Sequence, residues 1–156
     1  MPPEIFNKDF ISVLDSWLFE NDQKFAKQIA SKKSKIPPMF KTYSKKLYRG
    51  MIVDEGFIEK ASTGVSFDKF SSWSKSEKVA MAFSKDPKYR TQLKTGIPIL
   101  VSKVIPQSKI ILDIHSFCLF TGGVGLDELS FDSALKEEEV LIDIGVKITT
   151  KDIRFL

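Results

Sequence analysis

The chain changes its hydrophobic period once, near Lys46, and that change constrains its fold more than any other feature. Before it, apolar residues recur at helical spacing. Phe10, Ile11, Leu14, Trp17 and Leu18 form one stripe that Asn7 can cap, and Phe25, Ala26 and Ile29 form a second that Asp22 can start. After it come short strand-like runs at 47–53, 97–105, 109–114, 139–144, 146–149 and 153–155, rich in Ile, Val and Leu. Residues 64–74 read as a turn feeding another strand, with a helix from about 76 to 84, and residues 115–136 as irregular. Helices at the front and short strands behind predict an α+β fold with a mixed or antiparallel sheet.

At 156 residues the chain is expected to form a single domain, with a helical preface over 1–35 and a core over 46–156. The basic, proline-bearing run at 31–38 separates the two as a linker. A formal charge of +4 is too small and dispersed to argue nucleic-acid binding. The single Cys118 excludes an intramolecular disulfide, and with the lone His115 it gives no metal-ligand cluster and no recognisable nucleophile context. With neither a secretory h-region nor an apolar run long enough to cross a bilayer, no membrane contact and a reducing cytoplasm are the expectations. The glycines at 122, 123 and 125 do not match a dinucleotide fingerprint, because no G-x-G-x-x-G opens a long helix.

Three stretches carry chemistry. Arg49 sits among apolar neighbours, either as an edge residue whose head reaches water or as a planar fork for phosphate or carboxylate. Gly50 beside it allows a ligand close to the backbone. Ser72 and Ser74 share one strand face with Trp73 on the other; their hydroxyls can hold a carboxylate or cap the helix that follows. Phe83 near the end of that helix can stack on a flat ring, and the loop bearing Lys85, Lys88, Arg90 and Lys94 has the charge a diphosphate needs nearby. Last, Glu137-Glu138-Glu139 runs into Val140-Leu141-Ile142. If the triplet is already strand, Glu137 and Glu139 share a face, raise one another's pKa and favour a cationic client; otherwise it is a solvated strand start.

An arginine, a Ser-x-Ser and a Glu-x-Glu in that order resemble the mono-ADP-ribosyltransferases of the arginine-serine-glutamate class, which include clostridial-type toxins, vertebrate arginine-modifying ectoenzymes and phage-encoded enzymes. The likeness rests on Leu47-Tyr48-Arg49-Gly50, on Phe70-Ser71-Ser72-Trp73-Ser74 with Ala80 and Phe83, and on Glu137 to Ile142 with Gly145. It covers about residues 46–156 and leaves the preface unexplained. The resemblance implies an ADP-ribosyltransferase-like fold of two packed β-sheets with a split core that binds NAD as substrate. Carried over, Arg49 holds the phosphate and ribose region, Gly50 the nicotinamide amide, and Ser72 and Ser74 the glutamate and its strand. Phe83 packs on the nicotinamide, Arg90 stands in the diphosphate region, Glu139 is catalytic and Glu137 goes with arginine as acceptor.

The target, a protein with an exposed arginine, is expected at the loop 126–136; no metal is expected, and nucleic acid is possible but not favoured. The lack of disulfides sets the chain apart from the secreted vertebrate members and nearer an intracellular phage or bacterial effector acting in host cytosol. The alternatives are ADP-ribosylation of a nucleic-acid base, plain NAD hydrolysis, or an inactive binding module on the same fold.

Overall fold

The computed structural model describes residues 5–85 and 96–156. Helix α1 (Lys8–Glu20) begins where the Asn7 side chain accepts the Phe10 N–H at 2.9 Å, and it ends at Asn21, left-handed at φ 54°. Helix α2 (Gln23–Ser31) follows at once, capped by Asp22. Both caps fall where the sequence puts them, because a short polar side chain meets the orphan N–H groups of the first turn.

The run at 31–38 is not a free linker. It folds into two 3₁₀ turns, Lys33–Lys35 and Pro38–Phe40, that bury Ile36 and Phe40. The Lys33 ammonium donates to the Ser108 carbonyl, and the Lys33 carbonyl accepts from the ammonium of Lys41 beyond the run, so Lys33 is tied down through side chain and backbone. Phe40 joins Phe6, Phe10 and Phe117 in an aromatic group with ring centroids 4.7 to 5.9 Å apart. The preface therefore shares one apolar cluster with Ile111, Leu112, Ile114, Phe117, Ala134 and Leu141 from the second half of the chain.

The remaining elements are β1 (Lys46–Val53), α3 (Glu55–Ala61), β2 (Val65–Ser66), β3 (Ser71–Ser74), α4 (Glu77–Ser84) and β4 (Ile97–Val104). After them come β5 (Ile110–Leu112), α5 (Ile114–Thr121), α6 (Glu128–Glu137), β6 (Glu139–Ile142), β7 (Lys147–Ile148) and β8 (Ile153–Phe155). Six strands form one sheet in the order β5-β6-β3-β1-β4-β8 with every pairing antiparallel, and β2 pairs with β7 in a second, two-stranded sheet. The class is α+β, as the change of period implies. Residues expected to be irregular at 115–136 instead hold α5 and α6, capped by Asp113 and Asp127.

One seam of the large sheet differs from the others. Strands β1 and β4 pair along eight positions, but β1 and β3 meet at the single pair Tyr48↔Ser74. The sheet is open where a central pairing would otherwise continue. A second apolar cluster, built on Leu47, Trp73, Ile99, Val101, Val140 and Ile142, holds the strands on either side of the opening.

Candidate active site

A cavity of about 470 Å³ lies at this seam. Its wall includes Tyr48, Arg49 and Gly50 of β1, Ser72 and Ser74 of β3, Ala80 and Phe83 of α4, and Glu137 and Glu139. Each of these sequence-predicted site residues other than Arg90 thus lines one space; Arg90 lies outside the described residues. The volume falls in the range that small-molecule sites occupy.

Register explains much of the convergence. Strand β6 pairs with β3 so that Ser74 faces Glu139 and Ser72 faces Leu141. Directly opposed residues project to the same side of a sheet, so the Ser-x-Ser face and Glu139 coincide. The Ser74 hydroxyl donates to the Glu137 carbonyl at 2.6 Å and accepts the Ser76 N–H at 2.9 Å. It thereby ties the end of α6 to the start of α4. Arg49 reaches across the seam and donates from Nη1 to the Ser72 carbonyl at 2.6 Å, so its head is held at the cavity rather than released to water.

The two glutamates meet, but not because they share a strand. Glu137 is the last residue of α6, Glu138 is a left-handed C-cap at φ 48°, and β6 begins at Glu139. The helix-to-strand corner folds the triplet back, with the Lys75 N–H bonded to the Glu138 carbonyl at 3.2 Å. A left-handed residue between the acids does what strand alternation was expected to do. The supposed loop before Glu137 is helix α6, in which Phe131 and Leu135 pack on the core while Leu129 is 71% exposed.

Glu139 is only 4% exposed. Burial, with a smaller push from the Glu137 charge, drives its carboxyl up to about 7 against the pull of Ser72, Trp17 and Arg49. Burial also raises Glu137, opposed by hydrogen bonds from Ser133 and Glu139. Both carboxyls are thus pushed up by burial, and they titrate as an interacting pair. The Ser72 hydroxyl lies near enough to Glu139 to favour its charged form, yet among the described residues it completes no hydrogen bond of ordinary geometry.

Gly50 of the cavity wall is also required for packing. A Cβ there would stand 1.8 Å from the Ala80 carbonyl oxygen, so the glycine lets α4 lie against β1 and bring Phe83 to the cavity.

Three wall residues come from the helical preface, Trp17, Asn21 and Gln23, and none of them is a sequence-predicted site residue. The Trp17 indole N–H donates to Glu139 Oε2 at 3.0 Å. The Gln23 side-chain amide donates to the Phe70 carbonyl at 2.9 Å and accepts the Phe70 N–H at 2.8 Å. No local signal marks either residue, since Trp17 reads as one more member of a helical apolar stripe.

Cys118 and His115 are not brought together as a dyad. The Cys118 thiol is buried, and burial with the nearby Glu139 and Asp113 charges pushes it up to about 12. His115 Nδ1 lies 3.1 Å from the Lys75 ammonium, which itself pairs with Asp113 at 2.9 Å. Among the described residues no group of three His, Cys, Asp or Glu side chains could hold a metal ion, and no helix is long and apolar enough to cross a membrane. Comparison with protein-family models, with curated proteins and with solved structures finds no match.

Proposed function

We propose that the chain is an NAD-dependent mono-ADP-ribosyltransferase that moves ADP-ribose to an arginine of a target protein and releases nicotinamide. The observation that carries this reading is the convergence of Arg49, Ser72 and Glu139, from three separated stretches, on one cavity that Glu137 also lines. The open β1–β3 seam supports the split core that an ADP-ribosyltransferase-like fold requires. The residues present suit the nicotinamide-ribose end of NAD: an aromatic ring in Phe83, a guanidinium in Arg49, the Ser72 hydroxyl and the Glu139 carboxylate line the space.

Cleavage of the ribose–nicotinamide bond leaves its electron pair on nicotinamide, which departs neutral, and builds positive charge on the sugar. Glu139, ionised and buried, stabilises that charge and hydrogen-bonds the 2-hydroxyl more strongly as it grows. The leaving group is already cationic, so the step needs no general acid. A nitrogen of the acceptor guanidinium then bonds to the sugar carbon, and Glu137 takes the proton that nitrogen loses. A raised carboxyl pKa suits Glu137 to that late transfer, since arginine itself holds its proton to a pKa above about 12. The target protein docks beside α6, whose exposed Leu129 stands on the helix that ends in Glu137.

The cost of burying Glu139 disfavours the binding-module reading, because a module that only binds gains nothing from a carboxylate with so few offsetting partners. The test is transfer of labelled ADP-ribose from NAD to lysate proteins by the natural chain and by Glu139→Gln. Label on a few bands, only with the natural chain, is expected. Absence of both label and nicotinamide release would refute the reading; nicotinamide release without labelled protein would refute the protein acceptor and favour hydrolysis or a nucleic-acid acceptor.

A further inference from the structure

We infer that Trp17, in the helical preface that the family resemblance leaves unexplained, is a positioning residue for Glu139 and makes the α1–α2 hairpin part of the active site. A tryptophan needed only to fill space is replaceable by any large apolar residue, but the indole carries one donor that must find an acceptor once buried. Trp17 is 2% exposed, and its N–H reaches Glu139 Oε2 at 3.0 Å across 122 positions of sequence. With Oε2 held, turning the carboxylate about its last torsion costs this hydrogen bond, which favours one heading for Oε1. Because the acceptor is strengthened by negative charge, the bond also favours the ionised state that the proposed reaction uses.

The hairpin is pinned where this job requires. Gln23 clamps Phe70, the residue before β3, through both atoms of its amide. At the other side Asp15 Oδ1 accepts the N–H of Asp127 at 2.9 Å, and Asp127 caps the helix that ends in Glu137. The preface thus fixes the strand bearing Ser72, the helix leading to Glu137 and the Glu139 carboxylate itself. The other ionisable groups facing Glu139 are Arg49 from β1, Glu137 from the end of α6 and Cys118 from α5. Cys118 stays neutral, Arg49 stays charged, and Glu137 titrates with its neighbour, so the pH response belongs to the two acids together.

The catalytic meaning of this inference rests on the proposed transferase, but the pairing is testable without activity. Trp17→Phe removes the donor and retains an aromatic ring; replacing Trp17 by benzothienylalanine removes the N–H and keeps the indole's shape, covering the case in which phenylalanine packs badly. The side-chain carboxyl of Glu139, labelled with carbon-13 and assigned through Glu139→Gln, is titrated by NMR beside the pH profile of nicotinamide release from NAD. Both midpoints are expected to rise by about one pH unit in the variants, with the fold intact by circular dichroism. An unchanged NMR midpoint in the folded benzothienyl variant would reduce Trp17 to a packing residue and overturn the inference. No nicotinamide release by the natural chain at any pH would overturn the transferase reading instead, and the NMR titration would still decide the pairing.

Discussion

Replacing Glu139 by glutamine is expected to stabilise the fold at neutral pH while abolishing transfer. Holding the carboxyl near 7 rather than at its ordinary 4.5 means that ionisation costs the folded state about 3 kcal/mol. Between those values the folded chain binds more protons than the unfolded one, so stability is greatest below about pH 4.5 and falls as pH rises through about 7. Glutamine cannot ionise and can still accept the Trp17 N–H. The comparison is urea unfolding of both chains at pH 4 and pH 8, taking the difference of the two stability differences so that any change in packing cancels. Relative to the natural chain, the variant should gain about 3 kcal/mol between the two conditions. Glu137 stays in both chains, and its coupling to residue 139 can alter the figure but not its sign. A stability difference equal at both pH values would refute the claim that Glu139 is buried at the expense of its charge.

Other outcomes follow from the same geometry. Glu137→Gln should remove arginine modification more than slow NAD hydrolysis, read as labelled acceptor against free nicotinamide; equal loss of both would end the proposed division of labour. Gly50→Ala should destabilise by about 2 kcal/mol or more in chemical denaturation, since its methyl would collide with backbone of α4 rather than with a movable side chain. Lys75→Met should cost about 3 kcal/mol by leaving the buried Asp113 carboxylate without its ammonium partner, and Asp113→Asn in the same chain should recover part of that loss. Cys118 should resist alkylation by iodoacetamide at pH 8 in the folded protein and react once unfolded.

The sequence made the local signals legible and concealed those that depend on distance. Asn7, Asp22 and Ser76 as helix caps follow from interactions within three residues. Arg49 stands out because a guanidinium is costly among apolar neighbours, Ser72 because it shares a strand face with Ser74, and Glu139 because it forms an alternate pair with Glu137. The Glu137–Glu139 pair is compatible with two local structures: both strand alternation and a helix end followed by a left-handed corner put alternate acids on one site, and Glu138 at φ 48° has no side-chain signature that separates the two. Helix α6 was hidden by the glycines before it, which punctuate the chain without extending into the helix. Trp17 and Gln23 act across 122 and 47 positions, so nothing within their own helices could reveal them. The preface looked separable because its period differs, whereas its apolar stripe completes the cluster beneath β5 and β6.

The most direct test of the account is nicotinamide release from NAD, measured with and without an arginine-bearing acceptor, for the natural chain and for Glu139→Gln. Release by the natural chain is expected to quicken with acceptor, rise with pH through about 7 and disappear in the variant. Release that persists in Glu139→Gln, or a natural chain that leaves NAD intact under both conditions, would contradict it.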